Sequence, residues 1–553
     1  MKHSLKRRFS LLLAAVMAFG TVAFAATAHA APAEEPAAAA AYGLPDKIED
    51  GAILHCWCWD FNTIAENIPQ IAAAGFKAVQ TSPINAFQRG DNGGLSLMSN
   101  NNGKWWYQYQ TTDYTIGNYM LGTEAEFEEM CDTAHKYGVK VVVDIVANHC
   151  SSDYSVISSH VKNIGGKAFH DRVEITESSN RYMVTQGKLT GLWDLNTQNP
   201  AVQQMICDYL VDVLSAGADG FRFDAAKHIE LPDDASYNGI DFAGDFWPTV
   251  LDNEAEFQYG EILPGGDRAA DYAKLMKITA AAYGTNLRTG IEKKKVTATA
   301  VKNYRLTGVD SKQLVTWVES HDNYCGDDAS WKQLDNTQVQ LGWALIAAQG
   351  DTTPLFFARP KGSSTTDQWG QNKIGIDGDG NYYSKAVAAV NQFRNAMVGE
   401  SKAVTDLVRQ TVTMIERGTK GAVITSVSAE DTTLTNKSTN LADGTYTDHV
   451  SGNVFTVANG KLSGTIKAGS VVVLYTPEED PGDAVVGDID GDGDVTIQDA
   501  TLLQRHLAEF KKEDGSVIVD ESNPAALKVA DYDGNGRLTI DDVTAMQRYI
   551  AGY

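Results

Sequence analysis

A (β/α)₈ TIM barrel of the α/β class is expected for most of this chain, with a small inserted domain. An all-β sandwich domain and a small α-helical calcium-binding unit should follow it. Three observations lead there. From about Asp46 to Val398, short runs rich in β-branched and aromatic residues alternate with helical stretches, the pattern of parallel α/β proteins. Three of these runs close on an acidic residue, Asp224, Glu261 or Asp322, and side chains delivered from several strand C-termini build the site of such a barrel. Near the end, an acidic loop with turn glycines occurs twice at one spacing.

Taken in order, residues 1–30 read as a secretory signal peptide. Lys2, Lys6, Arg7 and Arg8 form its basic start, Leu11 to Ala25 its apolar stretch and Ala28-His29-Ala30 its cleavage site. The apolar run is too short to span a membrane comfortably, and no later segment approaches a span, so a secreted protein is expected. Residues 31–43, rich in Ala, Glu and Pro, have a disordered composition. The barrel should occupy 44–400. Its expected strands are Ala52–Trp57, Lys77–Thr81, Val139–Val146, Gly220–Asp224, Phe257–Glu261, Leu314–Ser320 and Pro354–Ala358. Helical patterns at Thr123–Tyr137 and Val202–Ala216 separate some of them, and the missing sixth strand is expected within Thr297–Gly308. The gap from Asn148 to Pro200 is too long for an ordinary loop, so an inserted domain is expected at about 149–199.

Residues 401–476 change character. Val412–Glu416, Gly421–Val427, Thr445–His449 and Val471–Tyr475 alternate with turn signals, which predicts the all-β domain. Residues 477–487 form a linker, and 488–553 the tandem repeat. At 553 residues the chain is too long for a single core. A formal net charge of −25 argues against a nucleic-acid partner, whose phosphates require basic surface. Six cysteines are too few for a disulfide scaffold. Cys56 and Cys58, two apart on a predicted strand, share a face and read as buried thiols.

The repeat carries the clearest metal signal. Ca²⁺ takes six to eight oxygens, and alternate acidic residues around a glycine turn supply them. The first loop offers Asp488, Asp490, Asp492, Asp494, Thr496 and Asp499. The second offers Asp531, Asp533, Asn535, Arg537, Thr539 and Asp542. Both end in Asp, and a similar helix follows each. These features resemble the type I dockerin, which implies two bound Ca²⁺ and a cohesin domain of a scaffoldin as partner. The same resemblance implies that Ile497, Gln498, Leu503 and Arg505, with Ile540, Asp541, Met546 and Arg548, face the cohesin.

The chemistry rests on four segments: Val141 to His149, Gly220 to His228, Phe257 to Glu261 and Trp317 to Asp322. Carboxylates gathered around one point suggest glycosidic bond cleavage, which needs an acid and a nucleophile or base. In this order the segments resemble the four sequence regions of the α-amylase family, glycoside hydrolase family 13. Trp105-Trp106-Tyr107-Gln108-Tyr109-Gln110 and Leu192-Trp193-Asp194-Leu195-Asn196 extend the likeness. Val318 to Asp322 and Pro354 to Pro360 look most like the saccharifying bacterial enzymes.

Carried over, the resemblance makes Asp224 the nucleophile, Glu261 the general acid and then base, and Asp322 the residue that holds sugar hydroxyls. Arg222 should keep Asp224 ionised, and nearby carboxylates should raise Glu261. Tyr109, Gln110, His149 and His321 match sugar contacts, with Lys227 and His228 on the acceptor side. Asn148, Thr185, Asp194 and the His228 carbonyl match a calcium site. Chloride-dependent relatives have Asn where Ser320 stands here, so chloride activation is not expected. A secreted, endo-acting, retaining α-1,4-glucanase acting on starch, maltodextrin or glycogen follows. An α-1,6-debranching or mixed-specificity enzyme and a non-catalytic starch-binding subunit are the alternatives.

Overall fold

The computed structural model describes residues 42–551 apart from 172, 265–267, 476–484, 492–493, 513–516, 520, 522–523 and 534–536. The expected signal peptide, nearly all of 31–43, most of the expected linker, and Asp492 and Asn535 fall outside the described residues. Eight parallel strands close into a barrel: β1 (Ile53–Cys56), β2 (Ala78–Thr81), β3 (Lys140–Ile145), β4 (Gly220–Phe223), β5 (Phe257–Gly260), β6 (Lys277–Thr279), β7 (Leu314–Thr316) and β8 (Thr353–Phe357). Each strand pairs with its neighbours in sequence, and β1 pairs with β8. Both faces of the barrel wall are covered, so its strands read as continuous apolar runs. Side chains that point inward, among them Ile53, Ala78, Val142, Tyr259, Val315 and Leu355, form one core. Their outward neighbours Leu54, Val79, Val141, Val143, Phe221 and Phe356 belong to a second, shared with the helices.

A helix follows each strand: α1 (Phe61–Ala73), α2 (Glu124–Lys136), α3 (Pro200–Ser215), α4 (Phe246–Val250), α5 (Ala269–Tyr272), α6 (Ala281–Glu292), α7 (Asn336–Ala347) and α8 (Lys385–Ala396). Local chemistry starts several of them. Thr123 and Glu126 make a reciprocal capping box on α2, and Asn199 caps α3 with Pro200 in its first turn. The sixth strand is not within Thr297–Gly308. It is Lys277–Thr279, and the expected stretch holds a short helix, Ala298–Lys302, capped by Thr297. Three residues running through Ala280 straight into α6 give no alternation to read. Cys58 also departs from expectation: β1 ends at Cys56, and Cys58 sits in a turn with φ +62°. Both thiols are buried and free.

Between β3 and α3, His149–Cys150 pairs antiparallel with Trp193–Asp194, which draws the ends of the insertion together. Two short helices, Ser159–Lys162 and Arg181–Gln186, lie between them, and the second matters to the site below. Beyond α8, strands β9 (Lys402–Val408), β10 (Val412–Arg417), β11 (Gly421–Ser426) and β16 (Val471–Tyr475) form one antiparallel sheet. Strands β12 (Thr432–Ser438), β13 (Gly444–Thr447), β14 (Val454–Val457) and β15 (Lys461–Ile466) form another. The first sheet is a middle layer. Ile415, Val423 and Val473 pack into the barrel core, while Met414, Ile424 and Leu474 pack against the second sheet. In the C-terminal region, α9 (Ile497–Leu507) and α11 (Ile540–Ile550) bury Leu503, Val543 and Met546 together, with α10 (Pro524–Ala530) between them in sequence. No helix among the described residues is long and apolar enough to cross a membrane.

Candidate active site

The floor of the barrel's C-terminal mouth is one arginine among carboxylates. Register places Arg222 of β4 beside Asp144 of β3. Arg222 Nη1 donates to Asp144 Oδ1 at 2.7 Å and to Asp224 Oδ1 at 2.7 Å, while Nη2 lies 3.0 Å from Glu261 Oε1. Asp224 and Glu261 surface because their amides each extend the parallel ladder by one bond, to the carbonyls of Ile145 and Phe223. Directly after Asp224 the chain turns through Ala225 at φ +48°, which aims the Ala225 N–H at Glu261 Oε2, 3.1 Å away. Asp144 is fully buried. Sequence reading did not assign it to the site, although a charged residue inside the apolar run Val141–Ile145 is the signal that could have.

Protonation differs from expectation. Burial pushes Asp224 up to about 7 against the pull of Arg222, and Glu261 and Asp144 add to the rise. Glu261 moves the other way. Burial would raise it, but Arg222, His321, a hydrogen bond with Asp322 and the Ala225 N–H together hold it below the usual carboxylate range. Asp322 is raised well above that range by desolvation and by Glu261. Burial is the larger cause, and a shared Arg222 offsets it only in part. Asp144 and Glu261 take much of the charge that a private partner would give Asp224.

Aromatic and imidazole groups wall the cleft. Tyr109 donates to Asp144 Oδ2 at 3.0 Å, and its ring stacks on His321 at 5.5 Å with an interplanar angle of 5°. His149 Nε2 donates to the Tyr109 carbonyl at 3.2 Å, and Gln110 Oε1 accepts from the Ser152 amide at 2.9 Å. Burial lowers His149 to about 4 and His321 to about 3, so both rings are neutral hydrogen-bonding groups at ordinary pH. On the opposite side, Lys227 Nζ donates to Leu263 O at 3.3 Å, and His228 Nδ1 to Val184 O at 2.9 Å. The cleft holds about 920 Å³ and is lined by Asp224, Glu261 and Asp322 together with Tyr109, Gln110, His149, Lys227, His228 and His321. Arg222 lies beneath this surface.

Arg181, which sequence reading missed, fastens the wall that carries Lys227 and His228. It donates to the carbonyls of Lys227 (2.8 Å) and Ile229 (3.3 Å) and pairs with buried Asp234 at 2.9 Å. Nothing in the local sequence marks it, since the partners of its side chain lie 46 to 91 residues away. Arg359 and Glu319 form a second buried pair beneath Asp322, with guanidinium nitrogens 2.7 and 2.8 Å from the two carboxylate oxygens.

A cation would fit beside His149. Asn148 leads into His149, which pairs with Asp194 across the two short strands. Asp194 is buried, its Oδ2 is 2.7 Å from His170 Nδ1, and its Oδ1 has no hydrogen-bond partner. Such a carboxylate oxygen suits a bound divalent ion. Thr185 is buried in the helix whose Val184 carbonyl holds His228, so the segments bearing Thr185 and His228 touch. In the C-terminal region the carboxylates of Asp488, Asp490 and Asp499 lie within 4.8 Å of one another, as do those of Asp531, Asp533 and Asp542, an arrangement consistent with two Ca²⁺ sites. The Thr496 and Thr539 hydroxyls instead cap α9 and α11, accepting from the amides of Gln498 and Asp541.

The sequence pattern "Alpha amylase, catalytic domain" matches residues 44–173 and 166–304, and "Dockerin type I domain" matches 486–551. An α-amylase of Butyrivibrio fibrisolvens is 40% identical over 477 residues, covering 80% of this chain and 49% of its own. One of Clostridium acetobutylicum is 37% identical over 450 residues, 79% of this chain and 56% of its own. The chain thus spans about half the length of these relatives. Among solved structures, α-amylase I of Eisenia fetida superposes with a TM-score of 0.63 at 17% identity, covering 78% of this chain and 98% of its own. That of Geobacillus thermoleovorans, complexed with acarbose, gives 0.60 at 16%, covering 78% and 99%. The barrel, the order of its site segments and these matches together show that the chain belongs to the α-amylase family of glycoside hydrolases and carries a type I dockerin.

Proposed function

We propose that this protein is a secreted endo-acting α-amylase that hydrolyses α-1,4-glucosidic bonds of starch, maltodextrin or glycogen with retention. Its dockerin would hold it on a cohesin-bearing scaffoldin in an extracellular complex. The observation that carries the reading is the Arg222 fork holding Asp224 and Glu261 together on the floor of the open cleft. In this mechanism Glu261 protonates the leaving glycosidic oxygen while the Asp224 carboxylate attacks C1 from the other face of the sugar. Glu261 then takes a proton from a water whose oxygen attacks C1, and the C1–O bond to Asp224 breaks, which returns the Asp224 carboxylate. The carboxyls should lie roughly 5–5.5 Å apart for this chemistry. In this reading Asp322 engages sugar hydroxyls, and Arg222 supplies the positive charge that the Asp224 carboxylate needs.

Asn148, Asp194, the Thr185 segment and the His228 carbonyl would hold Ca²⁺, which supplies charge that fixes the insertion against the barrel mouth. Chloride should have no effect, because Glu319 already occupies the Arg359 fork and Ser320 donates to Asn323. The dockerin residues expected at the cohesin fit this reading in part: Ile497 and Ile540 are exposed apolar side chains, whereas Leu503 and Met546 are buried between the helices. The deciding experiment is product analysis on amylose and pullulan with Asp224→Asn alongside. Rapid shortening of amylose with little pullulan cleavage, lost in the variant, is expected. Maltotriose from pullulan would move the assignment to debranching or mixed specificity. Full activity in the variant would remove Asp224 as nucleophile, and no cleavage of either polymer would favour a binding subunit.

A further inference from the structure

Asp194 has one carboxylate oxygen spent and one open. His170 Nδ1 lies 2.7 Å from Asp194 Oδ2, both side chains are more than nine-tenths buried, and Oδ1 has no hydrogen-bond partner. Against an ionised carboxylate, which only accepts, Nδ1 must carry the hydrogen and act as donor. The backbone builds this contact in. The His170 amide donates to the Asp194 carbonyl at 3.1 Å and the Asn196 amide to that of Ala168 at 2.9 Å, with Phe169 bridged to Leu195. Residues 168–170 thus lie antiparallel along 194–196, on the edge opposite His149–Cys150.

A second tie reaches another expected ligand. Just beyond Asp194, the Thr197 hydroxyl donates to Glu230 Oε2 at 2.6 Å, and both residues are buried. Glu230 follows closely on His228 in the chain. The segments that carry Asp194 and the His228 carbonyl are therefore fastened together by side chains outside the expected ligand set. His170 and Glu230 are not themselves arranged as ligands. Among the described residues, only the two C-terminal loops bring three acidic or imidazole groups within 4.8 Å of one another. His170 has also committed Nδ1 to the carboxylate, so that nitrogen has no lone pair to offer a cation.

We propose that His170 is a positioning residue for the cation at Asp194: its Nδ1–H holds Oδ2 and leaves Oδ1 as the oxygen offered to the ion. The inference rests on the calcium reading of Asn148, Asp194, the Thr185 segment and the His228 carbonyl. To that set it adds a residue that does not touch the ion and yet governs how tightly it is held. A carboxylate free to rotate loses that freedom when the ion binds, whereas one held by His170 has lost it on folding. Hydrogen bonds to ligating carboxylates tune metal affinity in this way. Because His170 belongs to the insertion, the same contact makes affinity depend on residues 168–170 being docked along Asp194.

The test compares two variants of similar shape, His170→Asn and His170→Leu, of which only the first keeps an N–H near the place of Nδ1–H. Both are made in the full chain carrying Asp488→Ala and Asp531→Ala, so that the C-terminal loops do not contribute. Calcium chloride is titrated by calorimetry, and melting is followed with calcium and with chelator. His170→Leu should weaken calcium binding about 10- to 100-fold. His170→Asn should stay within about threefold of the parent. The gap in melting temperature between the two variants should widen when calcium replaces chelator. A leucine variant that binds calcium like its parent, or a gap equal in calcium and in chelator, would overturn the proposal, the second by reducing His170 to a packing role. Asp194→Ala run alongside separates this inference from the reading beneath it. If that variant also binds calcium like its parent, the calcium reading falls together with the proposal. If it abolishes binding while His170→Leu leaves it unchanged, the proposal alone falls.

Discussion

Asp224 is expensive to keep where it is. A carboxyl raised to about 7 by burial makes the folded state prefer its neutral form, so this group's contribution to stability falls as pH rises from its unfolded value, about 4, towards 7. Asp224→Asn removes that liability and leaves Arg222 paired with Asp144 and Glu261. The variant should melt higher than wild type at pH 8, by on the order of 2 kcal/mol, with the gain fading by pH 4. Thermal unfolding across that range checks it, and a variant less stable at pH 8 would show that Arg222 needs the charge. His321 and His55 act in the opposite sense. Burial lowers both, so the stability of their neutral forms is lost as pH falls below about 6.5. For activity, Glu261→Gln should lose about 10² to 10⁴ in kcat on amylose, since the amide cannot pass a proton. Azide rescue on an activated glycoside would be absent if Glu261 were not the acid.

Several elements of the site are placed by side chains far away in sequence. Helix Arg181–Gln186 is too short to hold itself, and Arg181 ties it to the turn Ala226–His228, to Asp234 and to the Tyr272 hydroxyl. Arg181→Ala should cost about 2–4 kcal/mol, because it strands carbonyls and part of a buried ion pair. It should also raise KM for glucans more than it lowers kcat, since the wall that moves carries Lys227 and His228 rather than the reacting carboxylates. Melting curves and initial rates test both, and a change confined to kcat would contradict the placement. At this scale the sequence was legible where an element announces itself. Thr123 and Glu126 mark a helix start, and Val139–Val146 is a strand under any reading. Lys277–Thr279 is not, because its three residues become a strand only when β5 and β7 lie on either side of it.

For the whole molecule, cations should act at two separate levels. Chelation is expected to loosen α9 and α11, whose first turns are anchored by Asp499 and Asp542 of the two carboxylate clusters. It should separately lower the melting temperature of the catalytic part through Asp194. The full chain should then show two calcium-dependent transitions. Asp194→Ala should abolish the calcium response of the catalytic one alone, and Asp488→Ala together with Asp531→Ala that of the other. A single transition indifferent to chelator would refute the assignment. The middle-layer sheet explains why the β domain was only half legible. Val412–Arg417, Gly421–Ser426 and Val471–Tyr475 are buried on both faces and stand out as apolar runs. Strands such as Thr432–Ser438 and Lys461–Ile466 bury few residues and give no apolar run that would name them.

Residue type and spacing were enough to establish the alternating α/β pattern, the order of Asp224, Glu261 and Asp322 along the chain, and the doubled acidic loops. Each of these is a local property, written within about ten residues by strand period, capping chemistry or ligand spacing. The sharing of Arg222 among three carboxylates and the hold of Arg181 on the wall that carries Lys227 and His228 are not local. They arise where strands and loops far apart in the chain meet at the barrel mouth, and a charge's effect there depends on which neighbours it meets.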